Sequence, residues 1–152
     1  MPHFNIPAVL PRVSVRPINK EAGDIFASTF MTAFEMPVDL APYMAQLLQP
    51  SIDLPGTYHY LAFAEEEPIG TCSLLCYDNL GILGSVGVVP EYRKSGAAGN
   101  LAIRAITDAR NHGADLLMLQ TAAGTWLERL LRINGFKKVF VRTCYTYHEQ
   151  SG

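Results

Sequence analysis

Few folds accommodate the stretch from Gly84 to Gly113, which reads GSVGVVPEYRKSGAAGNLAIRAITDARNHG. Ser85, Val86, Gly87, Val88 and Val89 make a small-and-branched run of the kind found in buried strands. Pro90 cannot donate to a ladder and ends it. A basic turn, Arg93-Lys94-Ser95-Gly96-Ala97-Ala98, leads directly into a helix. Its spacing predicts a face burying Ala98, Leu101, Ala102, Ala105 and Ala109. The opposite face shows Asn100, Arg104, Thr107, Asp108 and Asn111 to water. A strand that delivers a turn to a helix N-terminus presents unpaired backbone N–H groups to an anion. Gly96 lacks the Cβ that would hold a phosphate away, and Arg93 and Lys94 add positive charge beside it. A phosphate-bearing ligand is implied.

Two common phosphate loops do not fit. No Gly-Lys-Ser/Thr occurs here, so the NTPase loop is missing. The dinucleotide fingerprint needs three spaced glycines after a first strand, and residues 93–99 do not supply them. The stretch instead resembles the cofactor motif of the GNAT superfamily of acyl-CoA-dependent N-acyltransferases. That motif is Gln/Arg-x-x-Gly-x-Gly/Ala after a strand ending in an aliphatic-x-Pro-Glu-Tyr-like segment. Here it stands as Val88-Val89-Pro90-Glu91-Tyr92-Arg93-Lys94-Ser95-Gly96-Ala97-Ala98. The resemblance implies acetyl-CoA as co-substrate, bound by Val86, Gly87, Val88, Arg93, Lys94, Ser95, Gly96, Ala97 and Ala98.

The rest of the chain supplies a matching frame. Residues 1–12, with three prolines, read as a lead-in segment, and 13–152 as a single domain. Val13, Val15 and Ile18 suggest a first strand, with Asn19 as a helix cap. Ala22, Ile25, Phe26, Thr29, Phe30 and Ala33 recur at helical spacing to about Phe34. A second helix after Asp39 places Leu40, Tyr43, Met44, Leu47 and Leu48 on one side. Strands are predicted at 57–64, 69–77 and 80–89. After the long helix, 115–121 reads as a buried strand, 125–134 as a helix closed by Gly135, and 137–147 as a last strand. In that last strand, Phe136, Val139 and Val141 are expected to be partly buried. The order β-α-α-β-β-β-α-β-α-β indicates an α/β fold, a three-layer sandwich with helices flanking a mixed central sheet. In the resembled family, the strands before the loop and after the long helix splay apart around the pantetheine arm.

Composition narrows the partners. The chain has 152 residues, 49% of them apolar and 17% charged, enough for a core and too apolar for intrinsic disorder. A net charge of −2 supplies no basic field for nucleic acid or an anionic membrane. Three cysteines among apolar residues suggest reduced core thiols rather than a disulfide framework. With no membrane-spanning run and no signal-peptide pattern at the start, a cytoplasmic location is the expectation. Association as a homodimer stays open.

Acyl transfer to an amine needs the thioester held close and a donor for its carbonyl oxygen. The resemblance assigns both tasks to backbone groups around Val86, Gly87 and Val88. For Gly84 and Gly87, close packing or a bulge is an equal alternative. Many family members place a glutamate eleven residues before the motif and a tyrosine four before the Gly-Phe. Those positions are Ile82 and Leu131 here, neither able to move a proton. Ser85 is a candidate to hydrogen-bond an acceptor or order a water, against a serine satisfied by its neighbour strand. His59 is a candidate base, against a structural histidine. Trp126 has two readings, cofactor packing or core, and Tyr145 and Tyr147 have cleft lining or cross-strand packing. Cys72 and Cys76 read as core thiols, Tyr77 and Asp78 as turn residues. His3, His59, His112 and His148 show no metal-ligand spacing. The expected activity is an acetyl-CoA-dependent N-acetyltransferase acting on a primary amine of a small molecule or protein. The alternative is a non-catalytic acyl-CoA-binding sensor.

Overall fold

The computed structural model describes residues 12–149. They fall into two compact units, one ending at Gln120 and the other beginning at Thr121. Eleven of the twelve lead-in residues lie outside the described residues.

The first unit is built on a five-stranded sheet: β1 (Val13–Pro17), β2 (Thr57–Ala64), β3 (Glu67–Tyr77), β4 (Leu80–Val88) and β5 (Leu116–Leu119). The strands lie in chain order, antiparallel from β1 to β4, with β5 parallel to β4. Three helices belong to this unit: α1 (Gly23–Ala33), α2 (Ala41–Ile52) and α3 (Ala97–Asn111). Alternation along β2 sorts them into layers. His59 and Leu61 face α1 and α2, where Phe26, Leu48 and Leu61 form a buried cluster. Tyr60 points the other way, its hydroxyl donating to Asp108 of α3 at 2.7 Å. The sheet is therefore sandwiched between helices, as the sequence predicts. Burying one ring the size of Phe26 contributes about 1.5–3 kcal/mol.

Caps and turns follow local chemistry. Asn19 Oδ1 accepts from the Glu21 N–H at 3.1 Å, capping a short 3-10 turn before α1. Pro42 sits harmlessly in the first turn of α2, while Pro50 lies inside that helix near its end.

Several details differ from the sequence reading. In α3 the buried face is Ala97, Asn100, Leu101, Ala105, Ile106 and Ala109, so Ala98 is exposed and Asn100 buried. Asn100 is satisfied there because its Nδ2 donates to the Val13 carbonyl of β1 at 3.3 Å. In α2 the small residues Ala41 and Ala45 turn inward with Leu48, and Tyr43 and Leu47 face water. Close helix packing selects the small side. β5 is shorter than expected and only half-buried, since among the described residues it pairs with β4 alone.

The second unit holds one helix, α4 (Trp126–Ile133). Thr125 caps it, accepting from the Glu128 N–H at 3.4 Å, while Glu128 accepts from Gly124 N–H at 2.6 Å. Gly135, at φ 89°, follows the helix end as expected. The last strand does not form. Residues 137–149 are in no strand, Val139 and Val141 are 75% and 67% exposed, and Phe136 alone is half-buried. Alternating Val and Tyr residues give strand propensity, but a strand exists only where a partner's ladder meets it. Tyr145 and Tyr147 accordingly stand exposed outside any strand.

Candidate active site

β4 carries a bulge. Thr71 of β3 is opposite Gly87 and Ser73 is opposite Gly84, so Cys72 alone faces both Ser85 and Val86. Ser85 adopts φ 53°, the left-handed region that disfavours any residue with a Cβ. Its carbonyl accepts the Thr71 hydroxyl at 2.7 Å. Bulging turns the backbone of Ser85 and Val86 out of the regular register.

On its other side β4 is paired along only part of its length. The β4–β5 pairing covers only Leu80–Leu83 against Leu116–Leu119. Beyond Leu83, the bulged half of β4 has no strand partner on that side among the described residues. Backbone groups left without a strand partner along such an edge can receive an extended arm in the manner of an added strand.

β4 ends in a 3-10 turn at Pro90–Tyr92, and the loop then reaches α3. Gly96 is the N-cap, at φ 83°. Only glycine takes this conformation without strain, so the sequence signal and the geometry agree at this residue. Ser95 Oγ accepts the Ala97 N–H at 3.2 Å. The rest of the first turn, with exposed Ala98, keeps N–H groups that have no intrahelical partner. Lys94 is exposed and unpaired among the described residues.

Arg93 reaches back from the loop to the end of α1. Its Nη2 donates to the Ala33 carbonyl at 3.0 Å and meets Glu35 at 3.3 Å, and its Nε donates to the Val88 carbonyl at 3.3 Å. The guanidinium thus staples the end of α1 to the end of β4. Glu35 reaches it from a left-handed residue, φ 53°. Gly87 completes the junction: a Cβ built there would lie 2.7 Å from Phe34 Cε2 and 3.1 Å from Ala33 Cβ. Close packing is therefore the reason for Gly87, and the bulge falls at 85–86. At Gly84 an added Cβ meets nothing within 4 Å.

His59 is buried, with Nε2 2.9 Å from Ser51 Oγ and Nδ1 2.7 Å from Ser73 Oγ. Ser51 gives its own hydrogen to the Leu48 carbonyl at 2.6 Å, so it accepts from Nε2–H, and Ser73 donates to Nδ1. Burial holds the His59 pKa below its ordinary value. A neutral histidine satisfied at both nitrogens is structural. Ile82 lies on β4 opposite Leu75 and Met118, and Leu131 on α4. Burial raises the Cys72 thiol to about 12, and burial together with the Asp108 charge raises that of Cys76. Tyr77 ends β3 and Asp78 begins the β3–β4 turn, at φ 50°. His112 Nε2 lies 2.7 Å from the Tyr58 hydroxyl. Among the described residues no group of three His, Cys, Asp or Glu side chains could hold a metal ion.

Sequence reasoning missed Phe34, Glu35 and Thr71. Only Thr71 left a trace, as a hydroxyl in the apolar core of β3.

The family model described as acetyltransferase (GNAT) matches residues 24–136. No curated protein sequence matches the chain. Solved structures are similar in fold. The aminoglycoside acetyltransferase AAC(6')-Iy, in complex with a CoA-linked bisubstrate analogue, is 16% identical at TM-score 0.68, covering 90% of this chain and 98% of its own. An aminoglycoside acetyltransferase from an uncultured soil metagenomic sample is 14% identical at TM-score 0.70, covering 90% and 97%. A predicted acetyltransferase of Clostridium acetobutylicum, solved with acetyl-CoA, is 12% identical at TM-score 0.69, covering 87% and 96%.

Proposed function

The chain belongs to the GNAT acetyltransferase family, and from that premise we propose that it is an acetyl-CoA-dependent N-acetyltransferase acting on a primary amine. One observation carries the reading: the half-unpaired, bulged β4 leads directly to the left-handed Gly96 at the start of α3. An extended thioester arm and a phosphate group, joined in one molecule, fit those two features together. The unpaired edge of β4 would hold the arm. Lys94, Gly96 and the first turn through Ala97 and Ala98 would hold the phosphates, with Ser95 ordering the turn. Val86, Gly87 and Val88 would present backbone groups near the carbonyl. Arg93 would act by fixing the loop to the end of α1 rather than as a free cation. The domain would be the single one from 13 to 152, in a cytoplasmic protein.

The reaction asks little more of the chain. The amine nitrogen attacks the thioester carbon, the C–S bond breaks, and CoA leaves as a thiolate. A thiol with a pKa of about 8.5 is a good leaving group without a protein acid. Neither Ile82 nor Leu131 supplies a base, and His59 is held neutral between two hydroxyls, so the ammonium proton passes to solvent, by way of a water near Ser85. The acceptor is a small-molecule or protein amine; the aminoglycoside acetyltransferases among the similar structures favour a small molecule. A second reading, a non-catalytic acyl-CoA sensor, is favoured by the apolar residues at 82 and 131.

Release of free CoA thiol over a panel of amines decides between the two. Turnover whose kcat/KM rises toward each amine's own pKa supports the enzyme without an internal base. Tight acetyl-CoA binding with no turnover on any amine selects the sensor. Profiles that level off at one pH near neutrality for two amines of different pKa would reveal a protein base.

A further inference from the structure

We propose that Thr71 is a positioning residue: its hydroxyl latches the β4 bulge in its left-handed form and so aims the backbone at the acyl carbonyl. The inference rests on the acetyl-transfer reading for its kinetic consequence, though not for its structural one.

Two sequence choices are unfavourable alone and make sense only together. Ser85 sits at φ 53°, where glycine would be unstrained. Thr71 is fully buried in the middle of β3, where valine would need no partner. A buried hydroxyl without an acceptor is costly, as is a carbonyl turned out of a ladder. The 2.7 Å bond from Thr71 Oγ1 to the Ser85 carbonyl satisfies both. It also ties the bulge to the strand position opposite Gly87, whose backbone lies against Phe34. The bulge is thus clamped from β3 and abutted by the end of α1. Loosening the clamp lets Ser85 relax toward ordinary strand geometry and changes the direction of the groups at Ser85–Gly87. The loop at Gly96 is untouched by that change, so the phosphate contact is kept and turnover falls further than binding.

The experiment is a double-mutant cycle over Thr71→Val and Ser85→Gly, with Thr71→Ser as the conservative control. Thr71→Val is expected to lower kcat by about 10- to 100-fold, the scale of a misplacement near 1 Å. Its calorimetric affinity for CoA should fall by much less than kcat does, since the Gly96 loop is kept and only the arm's contact with the bulge shifts. Thr71→Ser, which retains the hydroxyl, should recover most of the rate. In the Ser85→Gly background the Thr71→Val loss should shrink to threefold or less, because glycine holds a positive φ unaided. Backbone coupling constants and carbon shifts at residue 85 read the same latch without turnover. They should report a left-handed residue in the wild type and its loss in Thr71→Val. Unchanged kcat in Thr71→Val, an equal loss in both backgrounds, or unchanged residue-85 signals would overturn the latch. Should the wild type turn over no amine, the acetyl-transfer reading fails, and the residue-85 signals still decide the latch.

Discussion

Gly87→Ala probes the contact between β4 and the end of α1. The new methyl would lie 2.7 Å from Phe34 Cε2, 3.2 Å from Phe34 Cδ2 and 3.1 Å from Ala33 Cβ. Carbon atoms prefer about 3.5–4.0 Å, so the ring must retreat by about 1 Å. Phe34 is 43% exposed and can swing outward, whereas Ala33 is 5% exposed and fixed in the helix. Overpacking at such a half-yielding site costs about 1–2 kcal/mol. Gly87 is not among the residues with positive φ, so alanine is allowed and recovers about 0.4–1 kcal/mol by restricting the unfolded chain. The net loss is about 0–1.6 kcal/mol, or at most about 6 °C in Tm for a chain of this size. Removing the ring should reverse the sign. In a Phe34→Ala background the steric part goes and the entropic part stays, so Gly87→Ala becomes neutral or stabilising. Urea unfolding followed by circular dichroism on all four proteins measures the coupling, expected at about 1–2 kcal/mol. An equal Gly87→Ala cost in both backgrounds would show that the ring does not fill that space.

Gly96→Val should cost about 1–2 kcal/mol of stability from the left-handed backbone and leave a cooperative fold, while calorimetric acetyl-CoA binding disappears; undiminished binding would remove the loop from the site. Because burial depresses the His59 pKa, neutral His59 is favoured in the native state. Above about 6.5 both states carry it neutral and its contribution is complete; as pH falls from there toward the lower native pKa, the unfolded chain protonates first and stability declines. His59→Gln should flatten that part of the stability profile, and a slope identical to wild type would assign it to other groups. With the Cys72 thiol raised to about 12 and Cys144 exposed, a disulfide reagent should label Cys144 first, Cys76 more slowly, and Cys72 only after denaturation. Rapid native labelling of all three would contradict the buried position of Cys72.

Local patterns in the chain were enough for much of this. The run Ser85–Val89, Pro90 and the turn to Gly96 specified strand, stop and helix start, because φ preferences and missing donors act residue by residue. The left-handed Gly96 is legible for that reason: one residue type takes the conformation freely. The period of α3 was legible too, but not its rotation, since one buried asparagine bonded to β1 moved the face from Ala98 to Ala97 and Asn100. Tertiary structure alone decided the rest. Arg93 is bonded to the end of α1 because Ala33 and Glu35, some sixty residues earlier, come to meet it. The bulge at Ser85 depends on a hydroxyl across the sheet, and residues 137–147 are no strand despite their alternation. A backbone preference is a property of one residue, whereas a partner is a property of the fold, and no local pattern encodes which distant group will arrive.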